Sequence, residues 1–419
     1  MDNGKLKMDN CQLPTVNSQF KKGYKQTEVG VIPNDWELKH LNKLVEFTNG
    51  KAHENSIKDV GRYIVVNSKF ISTEGEVKKY SDNCFCPTEA GNILLVMSDV
   101  PNGKAIAKCF FVDRNDCYTV NQRICSLKVK FDDPKFLSFV INRNKYFLTF
   151  DDGVKQTNLR KDDVLGCPIP LPSTKAEQTA IAATLSDADA LISILEKLIA
   201  KKRNIKQGAM QQLLTGKKRL PGFSGKWEVK KLGEIAHIDP ENLSSDTSQN
   251  YSFKYISLED VDYGTLRGHT EQVFCIAPSR ARRKVRKGDV LVSTVRPNLK
   301  SHLLIRDDVV DTVCSTGFSV VRYKPALADP AFIFAHLFAG GIERQIEALL
   351  TGSNYPAINS SDIKALRIPC PPLPEQTVIA HILSDMDAEI EALEQKLNKY
   401  RLIKQGMMQE LLTGKTRLV

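Results

Sequence analysis

The feature that most constrains this chain is a repeat: Glu177–Leu220 and Glu375–Leu418 align without a gap at an offset of 198 residues, with 28 of 44 positions identical. Two copies at so long a period exclude a solenoid or a propeller, which need several short repeats stacked on one another. The chain is instead built as two half-molecules that end in the same element. Each copy reads as a helix. Ile181, Leu185, Ala188, Ile192, Leu195 and Ile199 step by 4, 3, 4, 3, 4, and Ile379, Leu383, Met386, Ile390, Leu393 and Leu397 repeat those steps. That is the a/d seam of a coiled coil. Thr174-x-x-Glu177 fits a capping box, Pro374 suits a first helical position, and Gly216 and Gly414 suit left-handed helix ends. About 38 residues at about 1.5 Å each give a rod of about 57 Å.

Charge sets the orientation of the pair. Lys201, Lys202, Arg203 and Lys206 late in copy one face Asp385, Asp387, Glu389, Glu391 and Glu394 early in copy two only if the helices run antiparallel. Asp187, Asp189 and Glu196 then meet Lys399, Arg401 and Lys404. Gly208 and Gly406 interrupt the helices at matching points, each followed closely by a methionine, Met210 and Met408. A mid-helix glycine costs about 1 kcal/mol against alanine. Its recurrence marks either the close approach of another helix, such as a partner subunit's, or simple inheritance by duplication.

The regions before the helices are also related, but faintly. Trp36-Glu-Leu-Lys-His-Leu corresponds to Trp227-Glu-Val-Lys-Lys-Leu, Gly91-Asn-Ile-Leu-Leu-Val to Gly288-Asp-Val-Leu-Val-Ser, Pro101-Asn102 to Pro297-Asn298, and Gly153 with Asp163 to Gly352 with Asp362. Short β-branched and aromatic runs broken by Gly, Asn and Asp predict mixed α/β structure rich in strand. At 419 residues, two or more cores are expected. The expected division is a disordered polar tail (1–22), a first globular domain (23–172), a central helix (173–219), a second domain (220–373) and a C-terminal helix (374–419). The fold class is α+β: two mixed α/β domains joined by two long helices in an antiparallel coiled coil, with pseudo-two-fold symmetry.

Catalytic chemistry is hard to find. Asp59 with Glu76-Val-Lys78 is a loose metal-nuclease pattern with no equivalent in the second region, so a metal-dependent nuclease stands as an alternative reading. Gly414-Lys415-Thr416 ends a helix instead of opening one and cannot cradle a phosphate. No glycine-rich dinucleotide motif, Pro-Pro-Tyr methylation motif or His/Cys ligand spacing occurs, and the ten cysteines read as buried free thiols of a reducing cytosol. No apolar run reaches the roughly 18–20 residues of a membrane helix.

The formal charge of +10 points towards an anionic partner. Arg280, Arg282, Arg283, Lys284, Arg286 and Lys287 crowd before the Gly288 strand, and Arg296, Asn298 and Lys300 follow it; Lys69, Lys78, Lys79, Lys104 and Arg123 are dispersed through the first region. Arg beside Asn suits base-edge readout and Lys suits phosphate contact, so Lys69, Lys104, Arg123, Arg280, Arg282, Arg283, Arg296, Asn298 and Lys300 are the candidate DNA-binding residues. A scaffold that binds only protein through its coiled coil is the other alternative.

Taken in order, these motifs resemble the DNA-specificity subunit of type I restriction-modification systems. The opening from Gly23-Tyr-Lys to Asn34-Asp-Trp36-Glu, Gly288-Asp-Val-Leu, Thr316-Gly-Phe, Pro371-Pro-Leu-Pro-Glu-Gln376 and the helix through Leu411-Leu-Thr-Gly-Lys carry the resemblance from residue 23 onward. Copy one departs with Pro172-Ser-Thr-Lys-Ala for the tighter proline run and Gly91-Asn for Gly-Asp. The resemblance implies two target-recognition domains, each reading half of a split sequence in double-stranded DNA. It implies helices that act as a spacer and dock two modification subunits, with Gly208, Met210, Gly406 and Met408 on the partner face. It implies S-adenosylmethionine, ATP and Mg on the modification and restriction/translocase subunits, no cofactor, metal or catalytic residue on this chain, and a cytoplasmic location.

Overall fold

The computed structural model of the chain describes residues 23–100, 103–350 and 356–418. The expected disordered tail, Pro101-Asn102 and Gly352 lie outside the described residues. The chain divides into two compact units: one runs to Ser193 and takes in everything from Asn398 on, and the other is Ile194–Leu397. The repeated elements are two continuous helices, Lys175–Leu213 and Leu373–Leu411, and each helix gives one part to each unit.

In the first unit the strand Glu37–His40, which follows Trp36, pairs antiparallel with Pro168–Leu171, the strand that leads into the long helix. A four-stranded sheet orders Val45–Asn49, Ile124–Val129, Ile93–Val96 and Cys109–Phe111. Ile93-Leu94-Leu95-Val96 is buried throughout because it serves two cores at once. Ile93 and Leu95 pack with Phe136, Phe147, Ile181, Leu185 and Leu411, whereas Leu94 and Val96 pack with Phe70, Val112, Tyr118 and Val120. Alternation of side chains along a strand makes this possible, since residues two apart share a face. A smaller sheet joins Tyr118–Val120 to Tyr63–Val66 in parallel.

The second unit repeats the plan. Glu228–Lys231, after Trp227, pairs with Arg367–Cys370, which leads into the second long helix. The strand Val290–Ser293 again divides two cores: Val290 and Val292 face Phe332, Ile333, Ile379 and Leu383, while Leu291 faces Ile256, Cys314, Phe318 and Val320. A parallel pair, Ser252–Ile256 with Thr312–Ser315, matches the one in the first unit. The Gly-Asp motif also gains a reason: buried Asp289 receives the guanidinium fork of Arg322 at 2.9 and 2.8 Å. Its counterpart Asn92 bonds the hydroxyls of Thr88 and Ser126. A buried carboxylate needs a cation and a buried amide does not, so Asn replaces Asp where no such arginine is supplied.

Within each unit the helical segments pack antiparallel. In the second unit the partners are Arg219–Glu375, Lys206–Asp387 and Lys202–Glu389, the residue number rising on one side as it falls on the other. In the first they are Arg417–Glu177 and Lys404–Asp189. Ile181, Leu185, Leu195, Ile199, Ile379, Leu383, Ile390 and Leu397 are buried, and Ile192 and Leu393 half-buried, so the seam is tightest where each helix meets a globular core.

The ends depart from simple capping. Thr174 accepts from the Glu177 amide at 3.3 Å, but the Glu177 carboxylate does not return to Thr174; it takes Arg417 on both oxygens, at 2.5 and 2.8 Å. Asp35 binds the other side of that guanidinium at 2.9 and 2.8 Å, and Arg417 holds its carboxyl below the usual range. In the second unit Glu375 accepts from Arg219 at 2.8 and 2.7 Å and from the Trp227 indole at 3.1 Å. Gly216 and Gly414 both have φ of +69°. A Cβ on Gly216 would stand 3.2 Å from the Trp227 ring, and one on Gly414 2.5 Å from Pro33, so conformation and contact both demand glycine. The second helix begins at Leu373, which places Pro374 one position further in than expected.

Candidate nucleic-acid interface

The basic run of the second unit is divided by its own strand. Ala281–Lys284 pairs with Thr312–Ser315 through an irregularity between Ala281 and Arg283, which changes the faces its arginines take. Arg283 turns inward and pairs with Asp239, which also accepts from the hydroxyls of Ser319 and Ser360 and the amide of Val320. Arg282 lies half-buried over the Phe274 ring at 5.1 Å. Arg286 pairs with Glu241 at 2.6 Å and Lys287 with Asp308 at 2.9 Å. Arg280 and Lys284 are exposed, and neither has an ion pair among the described residues. Arg283, Arg286 and Lys287 are thus engaged with carboxylates of the fold, and Arg280 and Lys284 are the cations of this run left facing water.

The segment after Val290–Ser293 is shaped by backbone. Arg296 and Lys300 both occupy the left-handed region, with φ of 48° and 54°, and bracket the single turn Pro297–Leu299. The Arg296 amide donates to the Pro356 carbonyl at 2.8 Å, and Val295 bridges to Ala357. Arg296 and Asn298 are exposed, while Lys300 is held by Glu343 at 2.9 Å. Beneath the loop, His302 accepts from the Ser293 amide at 3.1 Å; burial pushes its pKa down to about 4, so it is neutral. The matching segment of the first unit is anchored at the same place, Ser98–Asp99 pairing with Thr157–Asn158, and Asp99 accepts from the amides of Val100, Ala105 and Ile106.

In the first unit Lys69, Lys78, Lys104 and Arg123 are exposed, on the short helix Ser68–Ser72, the stretch after it, the loop after Ser98–Asp99 and the turn into Ile124–Val129. The nuclease pattern is not assembled as a metal site: Asp59 pairs with Lys79 at 2.7 Å, and no three His, Cys, Asp or Glu among the described residues stand where they could hold an ion. Met210 and Met408 pack against the cores of their own units. At Gly208 and Gly406 a Cβ would meet nothing within 4 Å, so no described part of the chain crowds either glycine.

Residues 33–202 and 224–400 each match the family described as the Type I restriction modification DNA specificity domain. The chain belongs to that family. It is a type I restriction-modification specificity subunit, with one copy of the domain in each half. The chain is 25% identical to the putative type I restriction enzyme MjaX specificity subunit of Methanocaldococcus jannaschii over 96% of this chain and 98% of that one. It is 23% identical to the MjaVIII specificity subunit of the same organism, over 92% and 94%. Among solved structures, the S subunit of a type I restriction-modification system from M. genitalium superposes with a TM-score of 0.62 at 18% identity, covering 90% of this chain and 96% of that one. That likeness carries the fold: two mixed α/β domains and paired long helices. No helix among the described residues is long and apolar enough to cross a membrane.

Sequence reasoning passed over the Asp239 hub and the Glu177–Arg417 and Glu375–Arg219 clasps. The clasps were readable in principle, because both partners are identical in the two copies of the repeat and sit at its ends. The hub was not, since it joins residues up to 121 positions apart.

Proposed function

We propose that this specificity subunit is a non-catalytic reader of a bipartite duplex target, with readers at residues 23–172 and 220–373, each addressing one half-site. It directs adenine methylation by two modification subunits and cleavage of unmodified foreign DNA by restriction/translocase subunits. It binds no cofactor itself; S-adenosylmethionine, ATP and Mg belong to the partners, and the complex works in the cytoplasm. Gly208 and Gly406, open on this chain, are offered to the partner subunits.

The observation that carries this reading is the contrast between what the two halves keep and what they vary. The helices recur with 28 of 44 positions identical and both clasps unchanged, whereas the exposed loops differ: a bracketed Arg296–Lys300 turn in one unit, an Asp99-anchored loop in the other. Two readers that differ on a shared frame suit two different half-sites. Selection of bound duplexes from a random library by the complex with its modification subunits tests it. Two short conserved blocks at a set gap are expected; one contiguous block, or no enrichment, defeats the proposal. Glu76→Ala serves the nuclease alternative: cleavage by the purified chain that this substitution abolishes would favour it.

A further inference from the structure

Two exposed apolar side chains in the second unit stand on turns that ordinary side chains avoid. Tyr263 has φ of 41° and is 62% exposed. With Gly264 (φ 88°) it forms the two-residue tip of a hairpin in which Asp262 faces Thr265. Left-handed conformation at both tip positions is the type I′ geometry, which Asn-Gly fills at little strain and a tyrosine fills only if its surroundings hold it there. They do: the ring lies 4.9 Å from that of Phe338, and a Cβ on Gly264 would stand 3.3 Å from Phe334. Leu299 is 58% exposed on the turn bracketed by left-handed Arg296 and Lys300. The two positions are linked, because Phe338 also packs edge-on against His302 at 5.7 Å, at the foot of the Leu299 loop.

Strained backbone that the fold over-determines marks places where a side chain is being held out for a purpose. Here the exposed side chains on these turns are apolar, and Arg296 and Asn298, on the same turn as Leu299, are exposed residues of the kind that reads base edges. In the major groove of an undistorted duplex the apolar group available to such side chains is the thymine C5-methyl. Resting on the DNA-reading function proposed above, we propose that Leu299 and Tyr263 are specificity-determining residues of the second unit that read thymine methyl groups beside the polar contacts of Arg296 and Asn298. Rigid presentation serves this role, since a methyl contact discriminates only if the side chain cannot relax into the space left when the methyl is missing.

The test uses the full chain in complex with its modification subunits and the duplex obtained by selection. Each thymine in turn is replaced by deoxyuridine, which removes the methyl and leaves the pairing intact. Wild type should lose about four-fold in affinity at one or two positions of one half-site, the equivalent of about one buried methyl group. Leu299→Ala and Tyr263→Asn should lose a similar factor on the thymine duplex and nothing further at those positions; asparagine tolerates the left-handed tip, and unchanged melting of the variants shows the unit intact. Equal losses for wild type and variants, a half-site without thymine, or a rise in 2-aminopurine fluorescence showing insertion between bases would each overturn the inference while the DNA-reading function stands. If wild type prefers no duplex over a scrambled one, that function falls as well.

Discussion

Arg417 holds both oxygens of the Glu177 carboxylate, at 2.5 and 2.8 Å, so it fastens the first turn of the helix Lys175–Leu213 through a residue 240 positions earlier. The Glu177 side chain is only 5% exposed. Removing the arginine strands a carboxylate in the protein interior, and breaking a buried pair from one side costs about 3–5 kcal/mol. Arg417→Ala is therefore expected to destabilise the first unit by about 3 kcal/mol in urea unfolding, and Arg417→Lys to recover only part, because a lysine cannot span Glu177 and Asp35 as a fork.

The charged pairs along the helices behave differently. Lys206–Asp387 lies at the surface, and such pairs couple by about 0.2–1 kcal/mol. A double-mutant cycle with Lys206→Ala and Asp387→Ala should return a coupling in that range that shrinks with added salt. The pairing thus sets direction, while the buried seam and clasps supply stability.

The basic run separates into structural and surface arginines. Arg283→Ala should destabilise the second unit by about 2 kcal/mol or more, since Asp239 loses its cation. Arg280→Ala should leave melting unchanged and weaken DNA binding. If Arg280 contacts a phosphate, the slope of log K against log salt becomes shallower by about 0.9. Thermal melts and salt-titrated binding of both variants read the distinction directly.

Acid sensitivity has an identifiable source in His336. Its ring is buried, with Nε2 lacking a hydrogen-bond partner among the described residues, and burial pushes its pKa from 6.5 down to about 3. Below pH 6.5 the unfolded chain takes up a proton that the folded chain refuses, so stability is full above 6.5 and is lost progressively towards 3. His336→Leu should match or exceed wild-type stability at pH 7 and show a flatter decline at pH 5, measured as urea midpoints.

Much of this was legible in the sequence because its signals were local or repeated. The seam from Ile181 to Ile199 fixes a helix by spacing alone, and Lys206 with Asp387 fixes its direction by sign. The roles within the Arg280–Lys287 run were not legible. An irregular strand register sends Arg283 to Asp239 and leaves Arg280 outside, and register is a property of the partner strand Thr312–Ser315, not of the run. Glu177 was read as a capping residue because Thr174-x-x-Glu177 permits it locally; the tertiary offer from Arg417 is the stronger one. Tyr263 was passed over because its meaning lies in its backbone angle and in Phe338, which is 75 residues away.

The most direct measurement is the adenine methylation map of a genome in cells that supply the modification subunits, with the gene for this chain present or deleted. One class of methylated site, two short half-sites at a fixed gap, is expected with the gene present and is lost without it. An unchanged map, or sites that form a single contiguous motif, would contradict it.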